Sequence, residues 1–343
     1  MSRIIEHDLD RITERSVKYL DHIRNKRFFI TGGTGFIGKW ICMALDRINQ
    51  ATSANIEAVL LSRRSELPLV IKNLKSNFEL HQGDVIDFDF PKGDFDYIIH
   101  AATDTKNDVQ GSLTHFESIV FGSKRVLDFA ASLSPKRLLY LSSGAIYGEL
   151  SSEHTHVNES YYGGPNCLDY KQIYGESKRA AELLCAVYSN KDGLSFSIAR
   201  CFAMIGPLMA LDTHYALGNF ISNASYDEII NVKTNGIAYR SFIYIQDLIV
   251  WLFTILVFGE SGKAYNVGSE EAISLKDLAN LTAKVCNSQH ECQFGKRAPK
   301  ERINYVPDTS YARDELDLNL EVSLEEAIMK TFTYQRSVLH NNI

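Results

Sequence analysis

The sequence lacks the cysteine and histidine patterns that build disulfide frameworks and metal sites. Six cysteines occur among 343 residues, and no two of them form a CxxC pair. The ten histidines include no HExxH or comparable ligand spacing. We therefore expect no bound metal, and we expect buried free thiols in a reducing cytoplasm.

Long apolar runs and excess positive charge are missing as well. No apolar run reaches 18 residues, so no transmembrane helix is predicted. The N-terminal stretch MSRIIEHDLDRITERSVKYLDHIRNK is charged throughout and contains no apolar core of a secretory signal. The formal net charge of −6 gives no reason to expect nucleic acid or an anionic membrane as a partner. We expect a cytoplasmic protein that holds any anionic ligand with local cations and backbone N–H groups.

The sequence does contain an alternation of apolar strands and amphipathic helices. Six strands are predicted, in the segments RFFITGG, IEAVLLSRR, FELHQGDV, FDYIIHAA, KRLLYLSS and LSFSIARCF. Helices are predicted in GFIGKWICMALDRINQ, SIVFGSKRVLDFAASL and YGESKRAAELLCAVYSN. Continuously apolar strands that alternate with helices are typical of a parallel sheet covered on both faces. The predicted fold class is therefore α/β, a Rossmann-like doubly wound sheet.

The segment ITGGTGFIG, residues 30–38, joins the first strand to the first helix. We call it the phosphate loop. Its glycines permit a tight turn and a close approach of the backbone, while the helix N-terminus offers free N–H groups to a pyrophosphate. The residues predicted to bind a dinucleotide here are Gly32, Gly35, Phe36, Ile37 and Gly38.

The ends of the next strands predict the cofactor. An NAD enzyme places an acidic residue after the second strand, for the ribose 2′-hydroxyl. Here Ser62, Arg63 and Arg64 stand at that point, and a guanidinium can pair with a 2′-phosphate. NADP is therefore favoured, with NAD as the alternative. Further predicted cofactor contacts are Asp84 and Val85 beside the adenine, and the small residues Ala101 and Ala102 beneath the cofactor.

Three parts of the chain follow from this pattern. Residues 1–25 are predicted to form an amphipathic helix, spanning about 5–24, that packs against the body or a partner subunit. Residues 26–202 form the NAD(P)-binding domain. Residues 203–343 form a smaller, mainly substrate-binding region, of which about 240–285 partly returns to the first domain.

The pair Tyr174 and Lys178 in YGESK carries candidate chemistry. Four residues apart, they lie on one face of a helix. A tyrosine has an ordinary pKa of about 10, too high for a general base at neutral pH. We expect the neighbouring lysine ammonium, together with a cationic nicotinamide ring beside it, to lower the pKa of Tyr174.

Together, TGxxGxxG, HAA, LSSGAIYG and YxxxK resemble the extended short-chain dehydrogenase/reductase family of nucleotide-sugar epimerases, dehydratases and reductases. The resemblance covers about residues 26–333 and includes RSFIYIQDL and YVPDTSYARDELDL. It implies three catalytic residues, Ser143, Tyr174 and Lys178, of which the last two also contact the cofactor. The serine is placed by its position four residues before the tyrosine of YG. The resemblance also implies a homodimer formed through a four-helix bundle that includes the YxxxK helix.

The two residues after Ser143 exclude several of the reactions that the resemblance implies. Dehydratases of the family carry an Asp-Glu pair there, decarboxylases a glutamate at the second position, and combined epimerase-reductases a cysteine. This chain has Gly144 and Ala145, neither of which can transfer a proton. Ketone reduction and C4 epimerisation therefore remain.

The substrate-binding residues are rearranged relative to the family. Ala203 and Ile119 stand where the family often has asparagines. His214 and Asn219 are predicted as substitutes, although His214 is equally well read as a loop histidine. The other predicted substrate residues are Thr103, Ser143, the diphosphate-binding Arg240 and, with weaker support, Arg297.

The leading hypothesis is an NADP(H)-dependent reductase of a nucleotide-linked 4-keto-6-deoxyhexose, for a surface polysaccharide such as O-antigen. A dTDP- or CDP-linked substrate is favoured. The alternative is an NAD-dependent nucleotide-sugar 4-epimerase. A third hypothesis, a non-catalytic NADP-binding sensor, is disfavoured because binding alone does not require Ser143, Tyr174 and Lys178 together.

Overall fold

The computed structural model describes residues 2–103, 112–150, 154–211, 215–297 and 304–341. The helices are α1 (Arg3–Arg15), α2 (Leu20–Ile23), α3 (Phe36–Thr52), α4 (Leu69–Lys72), α5 (Leu113–Leu133), α6 (Ile173–Asp192), α7 (Ala216–Ser225), α8 (Ile245–Phe258), α9 (Leu275–Val285), α10 (Ser310–Leu316) and α11 (Leu324–Asn341). The strands are β1 (Arg27–Thr31), β2 (Glu57–Ser62), β3 (Glu79–Gln82), β4 (Tyr97–His100), β5 (Arg137–Ser143), β6 (Phe196–Cys201), β7 (Met204–Ile205), β8 (Asn231–Val232), β9 (Tyr239–Arg240), β10 (Ile243–Tyr244), β11 (Lys263–Val267), β12 (Ile273–Ser274), β13 (Gln293–Phe294) and β14 (Asn304–Tyr305). Short 3-10 helices lie at Ser16–Lys18, Gly144–Tyr147 and Tyr170–Gln172.

Seven strands form one sheet in the order β11-β6-β5-β4-β1-β2-β3, and all its neighbouring pairs are parallel. The strand order reverses between β1 and β4, so the loops after these strands open a crevice at the carboxyl edge of the sheet. This topology confirms the predicted Rossmann-like class.

Both faces of the sheet are apolar because successive side chains point to opposite sides. Phe28 and Ile30 belong to the core on the side of α3 and α8. Phe29, between them, belongs to the core on the side of α5 and α6. Two buried faces explain why the strands read as continuous apolar runs rather than as alternating ones. Within the described ranges, no helix is both long and apolar enough to cross a membrane.

The N-terminal segment packs on the body, as one of the two predicted arrangements requires. Ser2 caps α1, and Ile5, Leu9 and Ile12 are buried in the core shared with α3 and α8. The single helix predicted over about 5–24 is wrong, because a 3-10 turn separates α1 from α2. The interruption turns the chain so that Tyr19 is fully buried, 5.7 Å from the Phe253 ring.

The region after β6 is built of short strands and helices around the same core. β7 pairs with β10, and β9 lies between β12 and β14 in a small sheet. The chain then returns to the main sheet, where β11 is its edge strand beside β6. This return brings β9 and β14 toward the carboxyl edge of the main sheet, where β5 ends.

Candidate active site

The phosphate loop is built for close backbone approach. Gly32 adopts a φ of +70°, and a Cβ on it would lie 2.7 Å from the carbonyl carbon of Ala101. A Cβ on Gly38 would lie 2.2 Å from the Gly32 oxygen. Among the described residues no side chain caps α3 at Gly35, so the first-turn N–H groups of Phe36 and Ile37 face the loop. The cradle fits a pyrophosphate.

Ser62 ends β2 at the point where an NAD enzyme would place a carboxylate. Its buried hydroxyl lies 3.3 Å from Thr34 Oγ1 and accepts a hydrogen bond from the Arg64 amide at 3.1 Å. The side chains of Arg63 and Arg64 are exposed. This corner of the crevice is therefore cationic and is tied to the phosphate loop through Thr34.

The two residues predicted beside the adenine lie on the turn after β3. The Asp84 carboxylate accepts a hydrogen bond from the Ile86 amide at 3.1 Å, which orients it within its own turn. Val85 is buried against α5, where a Cβ on Gly122 would approach it to 2.8 Å. Val85 thus fixes the turn on α5, and Asp84 keeps a second oxygen for a ligand.

Ser143 is the last residue of β5, and its hydroxyl faces the next turn. Its Oγ accepts a hydrogen bond from the Ala145 amide at 3.2 Å. Gly144 is enclosed by an aromatic ring, because a Cβ there would lie 2.6 Å from Phe202. An acidic side chain at position 144 would therefore displace Phe202.

The other serine of LSSGAIYG has a different partner. Ser142 Oγ donates to Glu182 on α6 at 2.5 Å, and Arg200 on β6 pairs with the same carboxylate at 2.8 Å. Arg200 also donates to the Tyr147 hydroxyl, which donates to Asn266 on β11. Ser142 belongs to a buried polar network that joins β5, α6 and β6.

Helix α6 brings Tyr174 and Lys178 to Ser143. Gly175 permits this approach, since a Cβ there would lie 2.5 Å from the Ala145 oxygen. Burial raises the pKa of Tyr174 well above its ordinary value, and a hydrogen bond with Ser143 opposes that rise. The buried Lys178 ammonium donates to the Leu141 carbonyl at 2.8 Å, and burial lowers its pKa to about 8.

Without a dinucleotide, Tyr174 is a weaker acid than a tyrosine in water. The predicted lowering depends on the nicotinamide charge as well as on Lys178, and in the protein alone the pKa of Tyr174 is raised. The reason is that the phenol is removed from water while Lys178 directs its proton to a backbone carbonyl. The phenol is thus held as an acid.

A buried hydrogen-bond chain supports the floor of the site below Lys178. The Ala102 amide donates to Thr31 Oγ1, which contacts His100 Nδ1 at 2.7 Å, and His100 Nε2 lies 3.0 Å from Ser123 Oγ. Burial, aided by the charge of Lys178, lowers the pKa of His100 to about 3. His100 is therefore neutral and structural, and it holds the small residues of HAA in place.

The structure adds a residue that the sequence reasoning missed. Tyr305 on β14 places its hydroxyl 3.4 Å from Ser143 Oγ, and burial raises its pKa to about 12. Its ring lies 5.7 Å from the Arg240 guanidinium and 4.8 Å from the Phe202 ring. No spacing rule could have found it, because the strands that carry Ser143 and Tyr305 are 162 residues apart in sequence. His115, also missed, packs edge-on against Tyr174 at 5.5 Å.

Arg240 has the environment of an anion-binding residue. It donates to the Tyr239 carbonyl at 2.7 Å, burial lowers its pKa, and no carboxylate of the described residues pairs with it. Thr103 Oγ1 is buried without a hydrogen-bond partner among the described residues, which also suits a ligand contact.

The remaining predicted substrate residues are less informative. Asn219 lies half-buried on α7, and Arg297 is exposed beside the loop after β8, where its carbonyl accepts from the Asn235 amide. His214 lies outside the described residues. Ile119, in place of a family asparagine, is buried in the core under α5. Within the described ranges no cluster of three metal-ligating side chains occurs.

Comparisons with known proteins agree with this geometry. The model of the NAD dependent epimerase/dehydratase family matches residues 28–268. UDP-glucuronic acid decarboxylase 1 of Xenopus tropicalis is 27% identical over 325 residues, which cover 95% of this chain and 76% of the relative. UDP-glucuronic acid decarboxylase 6 of Arabidopsis thaliana is 27% identical over 305 residues, 89% of this chain and 87% of the relative.

Solved structures show the same fold. A UDP-glucose 4-epimerase from Thermotoga maritima, with UDP-glucose, superposes with a TM-score of 0.78 at 19% identity and covers 91% of this chain and 99% of its own. A UDP-glucuronic acid 4-epimerase from Bacillus cereus, with UDP-glucuronic acid and NAD, gives 0.78 at 24% identity with the same coverage. At these identities the likeness concerns the fold.

Proposed function

The chain belongs to the NAD-dependent epimerase/dehydratase family, as its motifs predicted, and on that basis we propose that it is an NADP(H)-dependent reductase of a nucleotide-linked 4-keto-6-deoxyhexose. The observation that carries the proposal is the site around Ser143, which offers the buried phenol of Tyr174 as an acid and no carboxylate at positions 144 and 145. Such a site suits reduction at C4 and provides no group for expelling water or carbon dioxide.

Ser143, Tyr174 and Lys178 have separate roles in the reaction at the sugar C4. The bound dinucleotide supplies the hydride. Ser143 holds the ketone oxygen, and Tyr174 delivers the proton to it; the raised pKa keeps that proton on the phenol until the oxygen gains negative charge. Lys178, with a pKa of about 8, is available to replace the proton and to orient the cofactor ribose.

The choice of NADP(H) rests on the corner after β2. Ser62 occupies the position of the ribose-binding carboxylate, and Arg63 and Arg64 follow it. A carboxylate there would repel a 2′-phosphate, whereas guanidinium groups attract it. A reductase that exchanges its cofactor at each turnover fits such a corner.

The substrate nucleotide would be held through its diphosphate. Arg240 is a half-buried cation without a carboxylate partner in the described ranges, next to Tyr305 and Ser143. The dTDP- or CDP-linkage stays a prediction, and UDP sugars join the test because the relatives are named for them. Arg240→Gln should raise the KM for the nucleotide sugar about tenfold or more, the cost of a charge-assisted hydrogen bond. Arg3→Gln, at an exposed position of α1, is the surface control and should leave the KM unchanged.

A 4-epimerase is the second candidate. The observation that favours it is the set of structural neighbours named as 4-epimerases, including one with bound NAD. An epimerase needs the same Ser143, Tyr174 and Lys178, but it retains its cofactor and returns the hydride to the same sugar.

Assembly and location complete the proposal. The adjacent helices α5 and α6 expose the apolar side chains Phe121, Leu183 and Val187, which suit a homodimer formed through a four-helix bundle. All six cysteines are free, which suits the reducing cytoplasm, but they are not all buried as expected: Cys167 is exposed and Cys292 is half-buried.

One experiment separates the candidates. The purified protein is incubated with dTDP-, CDP-, UDP- and GDP-linked 4-keto sugars and with the corresponding hexoses, with NADPH, with NADH and with neither. Loss of NADPH equal to the product formed supports the reductase. Interconversion of C4 epimers without net cofactor change overturns it in favour of the epimerase. Tyr174→Phe should abolish either activity while cofactor binding remains. If the protein is only a sensor, neither activity is present before the substitution.

A further inference from the structure

Lys39 stands at the same corner as Ser62 and was not among the predicted site residues. It follows Gly38 on the first turn of α3, and its amide donates to the Gly35 carbonyl at 3.0 Å. The contact of Thr34 with Ser62 holds the start of α3 against the end of β2. The half-buried Lys39 side chain and the Arg64 guanidinium consequently come close enough for their charges to repel.

Neither cation of this pair has a carboxylate partner within the ranges that the structure describes. Burial and the charge of Arg64 both lower the pKa of Lys39, and no carboxylate of the described residues forms an ion pair with either side chain. Lys72, in contrast, on the short helix that follows, pairs with Glu66 at 2.5 Å. Holding two unpaired cations together is unfavourable unless a ligand brings negative charge to them.

We propose that Lys39, with Arg64 beside it, is the principal residue that binds the 2′-phosphate of the dinucleotide. A phosphate monoester brings close to two negative charges at neutral pH, which matches two adjacent cations. Lys39 contributes more than the exposed Arg63 and Arg64, because its partly dehydrated charge is screened less by water and salt. The proposal rests on the NADP(H) dependence proposed above and adds the residue that decides it.

Calorimetric titrations of the full chain with NADPH, NADH, 2′,5′-ADP and 5′-AMP test the proposal without any sugar substrate. Lys39→Gln should raise the Kd for NADPH and for 2′,5′-ADP about tenfold, as expected for one lost charge-assisted hydrogen bond, and leave the Kd for NADH and 5′-AMP unchanged. Lys39→Arg should restore much of the affinity. Lys72→Gln is the matched control and should change none of the four values.

Two results would overturn the assignment. If Lys39→Gln raises the Kd for NADH and for NADPH equally, Lys39 supports the phosphate loop and does not bind the 2′-phosphate. If the unmodified protein binds 2′,5′-ADP no better than 5′-AMP, the corner is not a 2′-phosphate site. Neither result bears on reduction at C4, which the sugar panel tests with NADH as well as NADPH, so the two proposals fail separately.

Discussion

The buried carboxylate of Asp8 should be one of the largest single contributors to the stability of the protein. Asp8 lies on α1 with no solvent exposure, accepts a hydrogen bond from the Tyr244 hydroxyl at 2.6 Å and pairs with Lys330 on α11 at 3.0 Å. It therefore joins the N-terminal helix to β10 and to the C-terminal helix. Asp8→Ala would leave Tyr244 without this acceptor and Lys330 without this counter-charge.

The magnitude follows from these two losses. A buried hydroxyl left unpaired costs about 1–3 kcal/mol, and breaking a buried ion pair from one side costs about 3–5 kcal/mol. Lys330 keeps Glu326 at 2.9 Å and is partly exposed, so its share falls below that range. We expect Asp8→Ala to lower the free energy of unfolding by about 3–4 kcal/mol.

Urea denaturation followed by tryptophan fluorescence measures this loss. Asp10→Ala is the matched control, because Asp10 lies on the same helix but is half exposed in its ion pair with Arg47, and it should cost less than about 1 kcal/mol. Adding Lys330→Met to Asp8→Ala should recover part of the loss, since the largely buried ammonium is then removed and the half-exposed Glu326 can be hydrated. An equal cost for the Asp8 and Asp10 variants would refute the reasoning.

Three further outcomes follow from the site. Tyr305→Phe removes the hydroxyl near Ser143, so kcat should fall about threefold to tenfold, the worth of one neutral hydrogen bond. Calorimetry should show unchanged NADPH binding. An unchanged kcat would mean that Tyr305 does not orient Ser143. Because the pKa of Lys178 is lowered to about 8, the unfolded chain binds more protons than the folded protein between about pH 8 and 10.5. The free energy of unfolding should therefore rise with pH over this window, by up to about 3 kcal/mol relative to Lys178→Met. Parallel pH profiles of the two proteins would contradict this assignment. Gly144→Ala should lower the free energy of unfolding, measured by urea denaturation, by about 1–3 kcal/mol because its Cβ meets the Phe202 ring. Adding Phe202→Leu should restore much of that stability. Full stability of Gly144→Ala alone would show that the ring moves freely.

Much of the main sheet could be predicted because each strand carries its own signal. The predicted strand KRLLYLSS and the observed β5 differ by one residue, and the helix predicted from YGESK onward corresponds to α6. The helix predicted from Ser118 begins earlier, at Leu113, because Ser112 caps it, and the N-terminal helix is interrupted before Leu20. Helix ends depend on caps and on tertiary contacts, which apolar periodicity does not record.

The candidate site divides in the same way. Glycine spacing placed the phosphate loop, and the four-residue interval placed Tyr174 and Lys178 on one helix face, as the structure has them. The pKa of Tyr174 could not be predicted, because it depends on how deeply the phenol is buried and on where Lys178 directs its proton. Lys39 was overlooked because its proposed role depends on its nearness to Arg64, which lies in the loop after β2.

The sequence by itself determined the family, the parallel sheet, the phosphate loop and the trio of Ser143, Tyr174 and Lys178. These depend on local patterns, namely glycine intervals, apolar strands and helical spacing, each of which is contained within a short stretch of the chain. The tertiary structure alone decided that Tyr305 meets Ser143 across 162 residues and that Asp8 meets Tyr244 across 236. The physical reason is that such contacts are set by how whole elements pack against each other. The sequence of a single strand or helix does not specify which distant side chain its residues will contact.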